Sequence, residues 1–408
     1  MDRRRFLASL GLATTSIGSA MPVWAAAAAT PVDRRLVVIM LRGAVDGLNV
    51  VVPFAEPNYY RLRPTLAVAR PGETDGAIDL DGRFGLHPAL AMLKPLWDQG
   101  TLGFVHAAGS PDGTRSHFDA QDYMESGTPG RKTTPSGWMN RLLDAHGEDA
   151  TPLRAVNVGP VMPRIFAGPA AVASLGSGDA AVRPTALDRP QVGAAFARLY
   201  DGDDKVSQTF REAGDTRKEM MASLDGMDAM ADNGAISLRG FAQDAGRLGA
   251  LIRRDPRVQL GFIAVGGWDT HVNQGGGRGQ LANKLGQLGD GLNALVRGLG
   301  ERYSETVVVV MSEFGRTVRQ NGNGGTDHGH GNAMWLIGGP VSGGRVHGPW
   351  PGLDERALYE GRDLDITTDF RSVLADVAGR HLRLDDRRLG EVFPQMPASA
   401  LQAPVLRG

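Results

Sequence analysis

The sequence predicts an α/β protein built on a mostly parallel sheet flanked by helices. Three observations predict it. Residues 307–311 form an apolar run of mostly β-branched side chains between polar residues, the signature of a strand buried on both faces. Residues 35–41 (RLVVIML) and 258–265 (VQLGFIAV) repeat that signature. Between the last two strands, 280–302 reads as an amphipathic helix with Leu281, Leu285, Leu288, Leu292, Leu295 and Leu299 on one stripe. Strand 258–265, helix 280–302 and strand 307–311 therefore make a βαβ unit. Its right-handed crossover places the residues after both strands at one sheet edge, where ligands bind in open α/β sheets.

Bulk properties narrow the function. With 408 residues, the chain is long enough for one large α/β domain. A formal net charge of −1 argues against nucleic acid, whose footprint needs a basic patch. There are no cysteines, so disulfides, thiolate metal sites and a cysteine nucleophile are excluded.

The chain opens with Arg3-Arg4-Arg5-Phe6-Leu7, a short apolar stretch over 8–21 and the alanine tract 25–29. A charged start, apolar middle and small-residue end make a secretory signal, and the adjacent arginines before x-Phe-Leu resemble the twin-arginine export motif. The apolar stretch is too short and too rich in Gly, Ser and Thr to span a bilayer. Residues 1–29 are expected to be a twin-arginine signal, cleaved within the alanine tract. Residues 30–408 would be one domain with a helical insertion around 190–254. The expected partner is the twin-arginine machinery, and the expected location periplasmic or secreted.

The first strand, 35–41, runs into Arg42-Gly43-Ala44-Val45-Asp46-Gly47. Asp46 is a strand-end carboxylate and a candidate ligand, although Asp-Gly is also a common turn dipeptide. Residues 49–53 continue apolar, 80–85 looks like a loop, and 89–98 reads as an amphipathic helix stopped by Gly100. Residues 101–107 are the next strand. The following loop carries Arg115, Ser116, His117 and Asp119. Ser116 beside Arg115 is a candidate nucleophile with cationic support for an oxyanion. Ser116 equally reads as the cap of a helix starting near Phe118, and the two roles are compatible.

Residues 138–146 read as a helix, 155–158 as a strand, 159–190 as irregular surface and 190–254 as mainly helical scaffold. Beyond strand 258–265 lie Asp269 and His271, two apart. On an extended backbone both point to one side, which suits a shared metal, while Asp-Thr-His is also compatible with a helix cap. Strand 307–311 ends in Ser312 and Glu313. A Gly-rich loop then carries Asp327, His328 and His330 before a further apolar run, 333–337. Oxygen and nitrogen donors of this kind suit zinc, manganese or iron better than calcium. Near the C-terminus 367–369 caps a helix over 370–378; Trp350 reads as exposed, and His347 and His381 as isolated non-ligands.

Taken together, LRGAVDGLN, RSHFDAQ, GGWDTH, SEFGRT, TDHGHG and TTDFRSVLADV resemble the bacterial family called domain of unknown function 1501. These motifs extend from about residue 35 to 385. That family is similar to the alkaline phosphatase and arylsulfatase superfamily. The resemblance implies a doubly wound, alkaline-phosphatase-like α/β sheet with a strand-end metal centre. It implies Asp46 at the first-strand metal position, Ser116 at the nucleophile, Asp269 with His271 as a later ligand pair, Glu313 where Asp-His is usual, and His328 or His330 as the final histidine. Phe314 stands where that pattern has a histidine, and the sulfatase Cys- or Ser-x-Pro-x-Arg motif is absent.

The expected function is an exported hydrolase of phosphate or sulfate esters. It would use one or two divalent ions (zinc, manganese or iron) on Asp46, Asp269, His271, Glu313, Asp327, His328 and His330. Ser116 would attack and Arg115 would steady the equatorial oxygens. The alternative is a non-catalytic exported metal- or ligand-binding protein on the same scaffold.

Overall fold

The computed structural model describes residues 34–147, 151–178, 235–396 and 404–407, with a few positions between 196 and 207. The signal reading of 1–29 and most of the proposed insertion around 190–254 lie outside these residues.

Among the described residues the main sheet has nine strands. In chain order they are β1 (Arg35–Leu41), β2 (Leu102–Gly109), β3 (Ala155–Val158), β4 (Ala173–Leu175), β5 (Leu260–Val265), β6 (Thr306–Ser312), β7 (Asn332–Ile337), β8 (Val346–His347) and β9 (Thr368–Asp369). Across the sheet the order is β8-β2-β7-β6-β1-β5-β3-β4, with β9 beside β2. All pairings are parallel except those of β7, which runs against β2 and β6.

Alternation along β1 explains why helices cover both faces. Val37, Ile39 and Leu41 join one core with Leu285, Leu288, Leu292 and Leu295 of helix α4 (Gln280–Leu299) and Phe241, Leu248 and Ile252 of α3 (Leu238–Arg254). Leu36, Val38 and Met40 join the opposite core with Met139 and Leu142 of α2 (Trp138–His146) and Phe370 and Val373 of α5 (Phe370–Asp376). Period-two side chains between two helical layers give a doubly wound fold, as the sequence predicts. The remaining labelled helix, α1 (His117–Ser126), follows β2.

The βαβ expectation holds with one refinement: β5 and β6 are not neighbours but flank β1 on either side. Three local expectations change, and the run 333–337, whose direction the sequence does not indicate, is antiparallel. The supposedly irregular stretch 159–190 contributes β4 to the sheet edge. The helix expected over 89–98 opens as a 3₁₀ turn, Pro88–Leu93, and becomes α-helical only at Lys94–Asp98. Trp350 is half-buried, edge-on to Phe84 and His106 at centroid distances of 5.2 and 4.6 Å. Among the described residues no helix is long and apolar enough to cross a membrane.

Candidate metal centre

Four segments converge at one edge of the sheet: the connections after β1, β2, β5 and β6, the last of which also enters antiparallel β7. Close backbone approach requires glycine at two points. Gly43 has φ +111°, and a Cβ there would lie 2.8 Å from the amide nitrogen of Asp269. A Cβ on Gly329, between His328 and His330, would meet the backbone of Arg316 at 2.4 Å. Arg316 is buried and ties the turns together. Its guanidinium donates to the carbonyls of Ala44 (2.6 Å), Gly43 (2.5 Å), Trp268 (3.2 Å) and Thr326 (3.1 Å), and to Asp269 Oδ1 (2.5 Å).

Three imidazoles and one carboxylate meet here. Nε2 of His328 lies 3.0 Å from Nε2 of His117 and 3.0 Å from Nε2 of His271. Asp269 Oδ1 is 2.9 Å from His271 Nε2 and 3.4 Å from His328 Nε2, and Asp269 Oδ2 is 3.8 Å from His117 Nε2. His117, Asp269 and His328 each offer one ligand atom within 4.8 Å of the others.

Each ring is oriented from behind. His328 Nδ1 is 3.0 Å from the carbonyl oxygen of Arg115, which can only accept, so that nitrogen carries the proton. His117 Nδ1 is 2.7 Å from Glu313 Oε1. Glu313 is buried, which by itself raises its carboxyl. Hydrogen bonds from His117, Gln121 and the amide of Gly43 nevertheless hold it below the usual range, so it too is an acceptor. His271 Nδ1 pairs with Asp327 Oδ1 at 3.3 Å.

With Nδ1 protonated, a neutral ring turns an Nε2 lone pair inward. Lone pairs 3.0 Å apart repel unless a cation lies between them. Without a metal a proton serves: hydrogen bonds to Asp269 and Glu313 push His117 up to about 9. Asp269 moves the other way. Burial raises its carboxyl, but hydrogen bonds from His117, His328 and Arg316 hold it far below the carboxylate range. Three imidazoles and a carboxylate, backed by carboxylate and carbonyl acceptors, fit a divalent metal of the zinc, manganese or iron type.

The sequence-derived candidates separate as follows. Asp269, His271 and His328 are brought together, while Glu313 and Asp327 stand behind His117 and His271. Asp46 is not in the cluster. Its carboxylate is fully buried and engaged by Arg63 at 2.6 and 3.0 Å and by Gln274 at 2.6 Å. His330 is not in it either: it is buried and stacks on Tyr359 at 4.1 Å. The Arg115 guanidinium pairs with Asp363 and Glu360, and only its carbonyl reaches the cluster. Ser116 is the N-cap of α1, its hydroxyl accepting from the amide of Asp119 at 3.5 Å.

His117 and Arg316 are the residues that sequence reasoning missed. The signal for His117 was its place as the first residue of a helix directly after a strand-end loop. An open cleft of about 210 Å³ reaches the cluster, lined by Arg42, Gly43, His117, Phe118, Gln121, Gly267, Trp268 and Asp269.

The fold and this edge define an α/β protein with a histidine–carboxylate centre at the carboxyl ends of its strands. Within that class the chain belongs to the protein family of unknown function DUF1501, whose family model matches residues 101–393. No curated protein matches it. Solved structures similar to it include Ps i-CgsB in complex with k-i-k-neocarrahexaose (10% identity, covering 87% of this chain and 73% of that one, TM-score 0.44). The C-terminal periplasmic domain of EcEptC from Escherichia coli is similar at 11% identity, covering 90% and 88%, with a TM-score of 0.39. A protein in the alkaline phosphatase superfamily from Vibrio parahaemolyticus is similar at 9% identity, covering 75% and 60%, with a TM-score of 0.35.

Proposed function

We propose that the protein is an exported, metal-dependent hydrolase of phosphate or sulfate esters. The observation that carries this is the convergence of three imidazole Nε2 atoms on Asp269, each ring fixed through Nδ1. His117, Asp269, His271 and His328 would hold the ion, which supplies Lewis acidity toward an ester oxygen. The ester class is supported by the N-terminus of α1, whose first two residues line the cleft where its dipole favours an anion. The motif resemblance supports the same class, and the signal-like N-terminus supports export through the twin-arginine machinery.

Hydrolysis forms a bond from a water oxygen to phosphorus or sulfur and breaks the bond to the bridging oxygen, which leaves with a proton. Water is the attacking group in this reading, because Ser116 does not line the cleft and its hydroxyl caps α1. The test is turnover of aryl phosphates and aryl sulfates by the mature protein supplied with zinc, manganese or iron. Expected is activity removed by a chelator, restored by metal, and at least 100-fold lower in His117→Ala and His328→Ala. Bound metal without turnover of either ester class overturns the hydrolase reading.

A further inference from the structure

We infer that this centre takes a single divalent ion, because Arg63 neutralises Asp46, the carboxylate a second ion would need, and Arg316 places a fixed positive charge beside the first ion's Asp269. The inference deepens the proposed function and rests on its metal reading.

A two-ion site places its metals roughly 3.5–4 Å apart and needs a second set of donors beside the first. Beyond the four ligands, the sheet edge carries Asp46, Glu313, Asp327 and His330. Asp46 has both oxygens occupied, and Arg63 is itself anchored by the carbonyls of Val318 (2.9 Å) and Thr317 (2.8 Å) and by Asn49 Oδ1 (2.6 Å). Such a buried pair is not released cheaply, since freeing one charge leaves the other uncompensated. Glu313 accepts from Gly43, Ala44, His117, Gln121 and Ser312, which leaves it no lone pair directed at a metal. His330 is stacked on Tyr359, and Asp327 is bonded to Asn321 and His271.

Phe314 supplies no donor. It is buried with its ring 4.9 Å from His117 and 5.1 Å from His328, apolar surface against the cluster. Arg316 meanwhile brings a fixed positive charge to Asp269 Oδ1. A guanidinium keeps its charge at every relevant pH and cannot exchange. It therefore fixes Asp269 for one ion and opposes a second cation beside it.

The decisive experiment loads the chelator-treated, folded protein with Mn²⁺ and measures metal per chain after gel filtration, with the electron paramagnetic resonance spectrum of the same sample. Expected is one Mn²⁺ per chain with an isolated six-line spectrum, falling to none in His328→Ala. Asp46→Asn and His330→Gln, each checked for fold by circular dichroism, keep one equivalent. If Asp46→Asn does not fold, His330→Gln and the wild-type spectrum carry the test. Two ions per chain, or a spectrum of coupled ions, overturns this inference and leaves the hydrolase proposal standing. No ion on the wild type, loaded with Mn²⁺ and in turn with Zn²⁺ and Fe²⁺, overturns both.

Discussion

His328 owes its place in the cluster to a backbone carbonyl, that of Arg115, whereas His117 and His271 depend on the carboxylates of Glu313 and Asp327. Removing such an outer partner weakens a metal site without deleting a ligand, typically by 10–100-fold. Glu313→Gln is therefore expected to raise the dissociation constant for Zn²⁺ by about 10–100-fold in competition titrations with a chromophoric chelator, with unchanged stoichiometry. Ser116→Ala is expected to keep bound metal and most of the turnover on whichever ester proves active, at a cost of about 1 kcal/mol or less in stability for the lost cap. Loss of turnover with metal retained would instead assign the attacking oxygen to the serine. Asp269 and His271 were legible because a polar pair beyond an apolar run is a strand-end signature, and His328 because its Gly-rich loop joins two such runs. His117 was not, since RSHFD reads the same whether the histidine only opens a helix behind its serine cap or faces a metal. Asp46 misleads for a similar reason: its partner Arg63 lies 17 residues away, and nothing in the turn announces it.

At the scale of elements, Arg316 matters more than any single strand. Its five acceptors come from the turn after β1, the turn after β5 and the loop before β7. Arg316→Met keeps much of the volume but leaves three buried carbonyls and the half-buried one of Gly43 without this donor. Unsatisfied buried groups cost about 1–3 kcal/mol each, so a loss of at least about 3 kcal/mol is expected in urea unfolding. An unchanged midpoint would remove Arg316 from this organising role. The central strands were legible because both faces are buried and the apolar runs are continuous. The antiparallel sense of β7 was not, because a run buried on both faces carries no sign of direction. Nor was β4, a three-residue strand in a Gly- and Pro-rich stretch too short to show alternation.

For the whole molecule, buried histidines set the response to acid. Burial holds His106 down to about 4 from 6.5, and His146 also to about 4 through burial and the charges of Arg154 and Arg388. Burial lowers His87 and His347 as well. The unfolded chain takes up these protons near pH 6.5, whereas the folded protein resists, in the case of His106 and His146 until near pH 4. Stability from these groups is thus complete above pH 6.5, falls as pH drops through that window, and levels off below it. His106 alone accounts for roughly 3 kcal/mol, at about 1.4 kcal/mol per pH unit. Urea midpoints at pH 7 and pH 4.5 check this, and a midpoint that does not fall at the lower pH contradicts it. Chelation acts through a different group: at pH 7.5, removing an ion present at 1,000 times its dissociation constant takes away about 4 kcal/mol, read as a drop in Tm that added Zn²⁺ reverses.

The position of β1 sets the order in which such a chain can be made. Its two neighbours, β5 and β6, end at Val265 and Ser312, so the six apolar residues of Arg35–Leu41 emerge long before these strands can pair with them. At ribosomal speeds of 5–20 residues per second the wait is on the order of ten seconds or more. A nascent chain cut short before Thr306 presents a strand with one edge unpaired and both faces incompletely covered, a template for self-association. Synthesis therefore has to pass Ser312 before β1 is paired on both edges, and His328 joins His117, Asp269 and His271 only after that.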